Sequence, residues 1–280
     1  MKSTRIKYNK NVGTEILHLD NEILKTEGIN SKLRSKCREI FHKPGIVIVD
    51  NALEPEILKS LQTSLSSKKR KFKDKFVDES KLTNKVIISK RTAAEQLSTL
   101  TSNLFGFDTP TSDFGIRNMV CNEEPMHYDS FYSKCGKTPL MSITNFDKKD
   151  RLWNVGYGFE ELLIKRKKEI TKLLENDQRN ISISIKLREN SDMNLDKNLC
   201  HNITFAPNSI WFTNPKTIRH QLISGGGILI NTWTIDELKC KCQACLLRSN
   251  GFVKAANQSL KIKGRNKFKK FLKDLFRKEN

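Results

Sequence analysis

Long apolar runs are missing from this sequence of 280 residues. No stretch approaches the roughly 20 consecutive apolar residues that a helix needs to cross a bilayer. The opening stretch, MKSTRIKYNKNVGTEI, contains no apolar segment that could act as a secretory signal. We therefore expect a cytoplasmic protein that does not span a membrane.

Cysteine is neither abundant nor regularly spaced. The seven cysteines are odd in number and scattered, unlike the disulfide framework of a secreted domain. Cys240, Cys242 and Cys245 offer three thiolates to zinc, with Cys200 or His201 as a fourth ligand. Two separate cysteine pairs are the more usual zinc signature, so we favour reduced thiols without a metal over a zinc site.

Acidic residues are few relative to basic ones. The chain has 51 Lys and Arg against 31 Asp and Glu, a net charge of +20. Such an excess favours polyanionic partners, either nucleic acid or a membrane that carries phosphate groups. A lysine-rich compositional bias explains it equally well, so charge alone does not choose a partner.

Hydrophobic periodicity predicts helices first and many short strands afterwards. This order indicates an α+β fold with a double-stranded β-helix (jelly roll) core and flanking helices. The predicted helices are 23–41, 54–65, 93–105 and 159–174. The predicted strands are 46–49, 114–121, 126–131, 139–145, 181–187, 203–205, 210–213, 220–224 and 228–234.

Histidine is also scarce, with five in the chain, and two of these histidines suggest a metal site. His127 and Asp129 lie on the same side of a strand, because side chains alternate with period two. His220 follows Asp129 by 220 − 129 = 91 residues and precedes a glycine-rich turn and an apolar strand. Two imidazoles and one carboxylate on one face of a metal are the ligand set of non-heme Fe(II) oxygenases. The alternative is that His127 and His220 are unrelated histidines, since a short His-x-Asp motif also arises by chance.

A centre of this kind needs an electron source for O2, most often 2-oxoglutarate, with ascorbate as a candidate additional reductant. Many such enzymes bind the far carboxylate of the keto acid with an arginine about ten residues after the second histidine. Residues 230–232 read Ile-Asn-Thr, so that arginine is absent. Arg117 and Lys137 are the candidate cations, and Thr144 and Asn145 are candidate hydrogen-bonding groups. Ordinary strand polarity is the alternative for all four.

Several motifs resemble those of the Kdo hydroxylase family. This family consists of Fe(II)- and 2-oxoglutarate-dependent dioxygenases that hydroxylate 3-deoxy-D-manno-oct-2-ulosonic acid (Kdo) on lipid A precursors. The resemblance covers roughly residues 40–235. Its motifs are HYDSF at 127–131, TN at 144–145, RLWNVG at 151–156 with FE at 159–160, FAP at 205–207 with Trp211, His220, and TWT at 232–234. The sequence GGGILINTWT after His220 departs from the Gly-Gln and Glu-Gln pairs expected in relatives, so the oxygenase activity transfers more safely than the sugar substrate.

The resemblance implies Fe(II), 2-oxoglutarate and O2 as cofactor and cosubstrates. It implies that His127, Asp129 and His220 bind iron and makes Arg117, Lys137 and Asn145 the cosubstrate candidates. The implied substrate is an anionic glycolipid, reached from the inner face of the cytoplasmic membrane. A protein (prolyl or lysyl) or nucleic-acid hydroxylase is the alternative within the same chemistry. A non-catalytic basic binding protein is the alternative outside it.

The expected layout is a polar tail (1–15), a dioxygenase domain (16–250) and a basic C-terminal segment (251–280). In the C-terminal segment five apolar residues share one helical face, and lysines and an arginine fill the rest. This composition is typical of a helix lying on an anionic bilayer surface. A helix docked on the protein's own core is the alternative, and a nucleic-acid contact is less favoured because no binding module surrounds it. The apolar residues are Phe268, Phe271, Leu272, Leu275 and Phe276.

Overall fold

Two β-sheets face one another in the computed structural model, which describes residues 6–8, 14–65, 76–109, 114–118, 137–175, 201–215, 217–236, 243–254 and 256. Neighbouring strands pair antiparallel, except that β2 and β3 are parallel. Within the described residues, the large sheet has the strand order β1 (Ile6–Tyr8), β2 (Glu15–Asp20), β3 (Gly45–Asp50), β8 (Ile210–Thr213), β5 (Lys137–Asn145), β10 (Gly227–Asp236) and β4 (Gly115–Asn118). The small sheet has the order β7 (His201–Phe205), β6 (Arg151–Gly158) and β9 (Ile218–Ser224).

Strand β3 shows how the large sheet separates two apolar layers. Its sequence, GIVIVD, is apolar at consecutive positions, as expected of a strand covered on both faces. Ile46 and Ile48 pack between the two sheets, in a cluster that we call the inter-sheet core. Val47 and Val49 point the other way and pack under helices, in a cluster that we call the helix-side core.

Four helices cover the outer face of the large sheet: α1 (Asn21–Glu27), α2 (Ser31–His42), α3 (Pro55–Gln62) and α4 (Asn84–Phe105). The single helix predicted over 23–41 is wrong, because the chain breaks at Gly28, which has a φ of 73°, and restarts at the cap residue Asn30. Helix α4 begins nine residues earlier than its predicted start at 93, capped by Thr83. It ends, as predicted, before Gly106, whose left-handed conformation closes the helix.

A second group of helices forms its own small core. It consists of α5 (Phe159–Lys165), α6 (Lys167–Glu175) and α7 (Gln243–Ser249). The helix predicted over 159–174 is therefore two helices, divided at Arg166. Phe252 and Ala256 pack into the same core. The packed structure thus continues past residue 250, where we had expected the domain to end.

The predicted strands are mostly present, with shifted ends. The strands predicted at 46–49, 139–145, 203–205, 210–213, 220–224 and 228–234 correspond to β3, β5, β7, β8, β9 and β10, and β4 lies within the predicted 114–121. The strands predicted at 126–131 and 181–187 and the tail helix fall outside the described residues. Strand β6 was not predicted, and β1 lies inside the segment expected to be a tail. None of the helices that the structure describes has the length and apolar character to cross a bilayer.

Candidate active site

His220 lies on β9 with its ring directed into the space between the sheets. Ile218 and Leu222, two residues away on either side, belong to the inter-sheet core, and alternation places His220 on the same face. Only 6% of the residue is exposed. The strand predicted around His220 is thus confirmed, and the side chain is buried where two sheets meet.

A backbone carbonyl determines which ring nitrogen of His220 carries the proton. Nδ1 of His220 lies 3.1 Å from the carbonyl oxygen of Ile218. Because a carbonyl oxygen only accepts, Nδ1 carries the proton, and in the neutral ring Nε2 carries the lone pair. This is the arrangement by which proteins prepare a histidine to bind a metal through Nε2.

An aromatic cluster holds the ring of His220 in place. Trp153 of β6 stacks on it, with ring centroids 4.9 Å apart and planes tilted by 15°. Trp153 also makes edge-on contacts, with centroids 5.5 Å apart, to Phe205 of β7 and to Trp211 of β8. Phe205 stacks on Trp211 with centroids 3.8 Å apart. The histidine therefore sits against a wall to which both sheets contribute.

The other two predicted iron ligands, His127 and Asp129, lie outside the described residues. Among the residues that are described, no three His, Cys, Asp or Glu side chains form a group that could hold a metal. Of the three predicted iron ligands, His220 is the one that lies within the described residues. The iron-ligand set stays a prediction from the sequence.

Arg117 lies on the edge strand β4 and faces the same side of the large sheet as the inter-sheet core. It pairs directly with Ile228, a member of that core, and directly paired residues share a face. Its guanidinium lies 4.7 Å from the centroid of the Phe76 ring. Lys137 begins β5, where its backbone pairs with Asp236, and its side chain lies outside the described part of the chain.

Thr144 faces away from His220. It pairs with Leu229, which belongs to the helix-side core, so the Thr144 hydroxyl points toward the helices. The hydroxyl is buried and has no hydrogen-bond partner in the structure described. This placement argues against the predicted contact between Thr144 and a keto acid bound beside His220.

The side chain of Asn145 forms hydrogen bonds with the protein's own backbone. Its amide nitrogen donates to the carbonyls of Lys149, Phe205 and Ala206 at 3.0, 3.1 and 3.2 Å. Phe205 pairs with Arg151 of β6. Arg151 lies four residues along β6 from Val155, and Val155 pairs with His220. Four residues of strand span about 13 Å. Asn145 thus lies at the opposite end of the sandwich from His220, and the structure gives it a structural role.

One of the two cysteines that the structure describes, Cys37, is unsuited to a reactive centre. Cys37 is buried in helix α2, and burial raises the pKa of its thiol to about 12. The thiolate, which is the nucleophile and the metal ligand, is therefore scarce at neutral pH. Of the predicted cluster, Cys245 lies half-buried in α7, whereas Cys240 and Cys242 fall outside the described residues.

Trp153 and Trp211 are the site residues that sequence reasoning missed. Both lie in motifs that carried the family resemblance, RLWNVG and the segment ending in Trp211. The alternation of Arg151, Trp153 and Val155 is a strand signal that could have indicated β6, whereas the position of the two tryptophans relative to His220 depends on how distant strands pair. The two glycines and the polar residues of that segment masked the pattern.

No family model matches the chain, and no curated protein matches it in sequence. Solved structures of the Kdo hydroxylase KdoO, a non-heme Fe(II) alphaketoglutarate dependent dioxygenase, do match it in fold. The complex with succinate and Fe(III) superposes with a TM-score of 0.60 at 16% identity, covering 84% of this chain and 94% of that chain. The complex with alphaketoglutarate and Fe(III) gives a TM-score of 0.56 at 16% identity, with coverages of 79% and 90%.

The likeness extends over most of both chains. At this identity it establishes a shared fold, and the resemblance drawn from the sequence motifs is confirmed at that level. Two facing sheets with helices outside the larger one are therefore the arrangement of a known dioxygenase.

Proposed function

We propose that this protein is an Fe(II)- and 2-oxoglutarate-dependent dioxygenase that hydroxylates the Kdo sugar of a lipid A precursor at the cytoplasmic face of a membrane. The observation that carries the proposal is the placement of His220. Its ring is buried between the sheets, and its Nδ1 is held by a backbone carbonyl, in a fold shared with KdoO. We infer that the two sheets form the double-stranded β-helix expected from the sequence.

Among the described residues, His220 suits the role of a ligand to a metal of this type. His220 presents an imidazole whose tautomer suits coordination through Nε2, and its orientation is fixed by stacking on Trp153. His127 and Asp129 are the proposed partners in the facial set of ligands. When bound, Fe(II) and 2-oxoglutarate supply the oxidising chemistry that inserts one oxygen atom of O2 into a C–H bond.

The chain's own contribution is to exclude water and to hold its groups rigidly. Trp153 stacks on His220, and Phe205 and Trp211 pack on Trp153, so these buried rings would keep water away from that side of a metal held by His220. A rigid wall also keeps the metal ligand in one orientation between turnovers.

The substrate proposal rests on charge and on the motifs. Each Kdo unit carries a carboxylate and lipid A carries phosphates, so a net charge of +20 is of the right sign. The KdoO structures are of a Kdo hydroxylase. We propose the same sugar for this chain because its HYDSF and RLWNVG motifs resemble those of that family.

One assay tests the chemistry and the substrate together. Purified protein is incubated with Fe(II), 2-oxoglutarate and a Kdo-bearing lipid A precursor, and succinate and the lipid mass are followed. We expect succinate release coupled to the gain of one oxygen atom on the Kdo region. His127→Ala, Asp129→Ala and His220→Ala should each reduce turnover by about 100-fold or more, since each removes a metal ligand.

His18→Gln is the matched control. His18 lies exposed on β2 and pairs with Asp50 at 2.6 Å, so its loss should leave turnover unchanged. Equal turnover in the three ligand variants and wild type would refute the iron site. If succinate is released while the lipid stays unmodified, and the enzyme instead modifies protein or nucleic acid, the dioxygenase activity would be supported and Kdo would be refuted as the substrate.

A further inference from the structure

Two large apolar side chains reach the surface of the group of helices formed by α5, α6 and α7. We call this part of the chain, residues 159–175 and 243–254, the small helical group. Ile164 of α5 is 62% exposed, and Val253, shortly after α7, is 48% exposed. The residue before each of them is buried in the core of the group, so both exposed side chains point away from that core.

Positive charge accompanies these two residues. The small helical group contains seven basic and four acidic residues, which gives 7 − 4 = +3. Lys165 pairs with Glu161 at 2.7 Å, and Arg166 pairs with Glu169. Four further lysines are exposed and form no ion pair with any residue that the structure describes: Lys167, Lys168, Lys172 and Lys254. Their charge is therefore available to an external partner.

The small helical group adjoins the end of the small sheet that carries His220. Helix α5 begins where β6 ends, and the backbone N–H of Phe159 donates to the carbonyl of Thr217 at 2.8 Å. Thr217 precedes His220 by three residues, which span at most about 10 Å along a strand. A partner bound to the outer side of this group would therefore lie close to the proposed site.

The chain passes from this group into its basic C-terminal segment. Ala256 still packs in the core of the group. Nζ of Lys167 lies 3.7 Å from the position that a Cβ atom would take on Gly251, so α6 begins beside the residues that lead into the segment. Residues 265–280, with a net charge of +5, thus follow directly from a surface that is itself basic.

The exposed side chains favour a bilayer over nucleic acid as the partner. Surfaces that bind single-stranded nucleic acid stack bases on aromatic rings. The phenylalanines of this group, Phe159 and Phe252, are buried in its core, and the exposed apolar residues are aliphatic. Aliphatic side chains among lysines are the composition with which proteins enter the interface of an anionic bilayer.

We propose that the outer side of the small helical group docks on an anionic bilayer. Ile164 and Val253 enter the lipid interface, and the four exposed lysines contact lipid phosphates. The inference rests on the proposed function, which gives the enzyme a lipid substrate. Because only two apolar side chains insert, the attachment is reversible, and its effect is to turn the His220 end of the sandwich toward the membrane.

Sedimentation of the full chain with vesicles tests the apolar contact. The vesicles contain equal parts of phosphatidylcholine and phosphatidylglycerol, and the protein carries neither iron nor keto acid. Ile164→Asp should weaken binding by about fivefold, because an inserting side chain is replaced by a charge that the lipid repels. Ile88→Asp is the matched control, since Ile88 is 63% exposed on α4 outside the large sheet. It should leave binding within about twofold of wild type, because a distant charge is screened by salt.

Charge reversal tests the lysines separately. Lys167→Glu combined with Lys168→Glu should weaken vesicle binding by about tenfold or more, since each basic residue near an anionic surface contributes about fivefold. Lys32→Glu combined with Lys85→Glu changes the net charge by the same amount at exposed positions of α2 and α4. That control should weaken binding by less than about threefold, because those positions do not touch the lipid.

Four results would overturn the proposal. The wild type does not sediment with the vesicles, the variants of the small helical group bind as wild type does, or both lysine pairs lose binding equally. The fourth is that Lys167→Glu with Lys168→Glu loses binding to a short RNA duplex and keeps its binding to vesicles. Failure of the proposed function is seen separately, as absent succinate release with the Kdo-bearing lipid dispersed in detergent, because sedimentation requires no turnover.

A labelling measurement on the wild-type chain covers variants that fail to fold. Lysines are briefly acetylated with and without vesicles, and the modified positions are quantified by mass spectrometry. Lys167, Lys168 and Lys254 should react several-fold more slowly when vesicles are present, because lipid phosphates cover them. Lys32 and Lys85 should react at an unchanged rate. Protection confined to the C-terminal segment, or equal protection of all lysines, would contradict the proposal.

Discussion

The side chain of Asn145 joins three parts of the chain at the end of strand β5. Its amide donates to carbonyls in two other segments, and its oxygen accepts from the backbone N–H of Asp147 at 3.1 Å. Its own backbone N–H donates to Ser209, and its carbonyl accepts from Asn208, each at 2.8 Å. This connectivity explains an asparagine at this position without any ligand.

Asn145→Ala should therefore act on stability and leave the site intact. Loss of a buried amide that serves several carbonyls should lower the free energy of unfolding by about 2 to 3 kcal/mol. The affinity for 2-oxoglutarate should change by less than about twofold. Urea unfolding and calorimetric titration measure the two effects. Asn202→Ala, at an exposed position of β7, is the control and should be nearly neutral. Weaker cosubstrate binding at unchanged stability would restore Asn145 as a ligand-binding residue.

The role of a residue could be predicted where it depends on the pattern of its own strand. It could not be predicted where it depends on how strands and sheets pack together. His220 could be placed on a strand because apolar residues flank it at period two. The orientation of Thr144 could not be predicted, because β5 is apolar toward both layers and its sequence does not say which layer contains the site. The contact between Trp153 and Trp211 could not be predicted either, because it depends on two sheets facing each other.

At the scale of the element, the junction between α1 and α2 shows why one predicted helix became two. Apolar residues continue at helical spacing across Gly28 and Asn30, so periodicity alone predicts continuity. Gly28 adopts a positive φ that ends α1, and the Asn30 side chain accepts from the N–H of Leu33 at 2.9 Å to start α2. Local capping chemistry therefore outweighs the periodic pattern.

Asn30→Ala removes this cap. The free energy of unfolding should fall by about 1 kcal/mol, because an N–H in the first turn of α2 loses its acceptor. Thermal or urea unfolding measures the change. The control is Ser35→Ala, at an exposed position inside α2, which should be neutral or slightly stabilising because alanine is the better helix former. An unaltered stability in Asn30→Ala would mean that packing alone holds the start of the helix.

The other helices and strands could be predicted where their own sequence determines their conformation. Strands β3 and β8 follow from short apolar runs, and the end of α4 follows from Gly106. Strand β6 was missed because only alternate residues, among them Trp153 and Val155, face the core, and glycines and polar residues fill the rest. Its strand character comes from pairing with β7 and β9, which are distant in sequence.

At the scale of the whole molecule, the chain carries a large excess of positive charge, with a net charge of +20. Residues 265–280 contain seven basic and two acidic residues, so they contribute 7 − 2 = +5 of the net +20. These residues lie outside the described part of the structure, and their amphipathic pattern is a prediction from sequence. If the protein acts on the proposed lipid, a helix of this kind would bring it to the bilayer that holds its substrate.

We expect the full chain to sediment with vesicles that contain anionic lipid and not with purely zwitterionic ones. Deletion of 265–280 should reduce the bound fraction several-fold, because each basic residue near an anionic surface contributes about 1 kcal/mol. Replacing Phe268, Phe271 and Phe276 by alanine keeps the charge and removes the apolar face. That variant should retain weaker binding that disappears as salt is raised, whereas wild-type binding should survive moderate salt. Deletion without any change in binding would show that the charge of the remaining molecule suffices. If the deleted protein also kept its turnover on the membrane-embedded lipid, the segment would have no part in reaching the substrate.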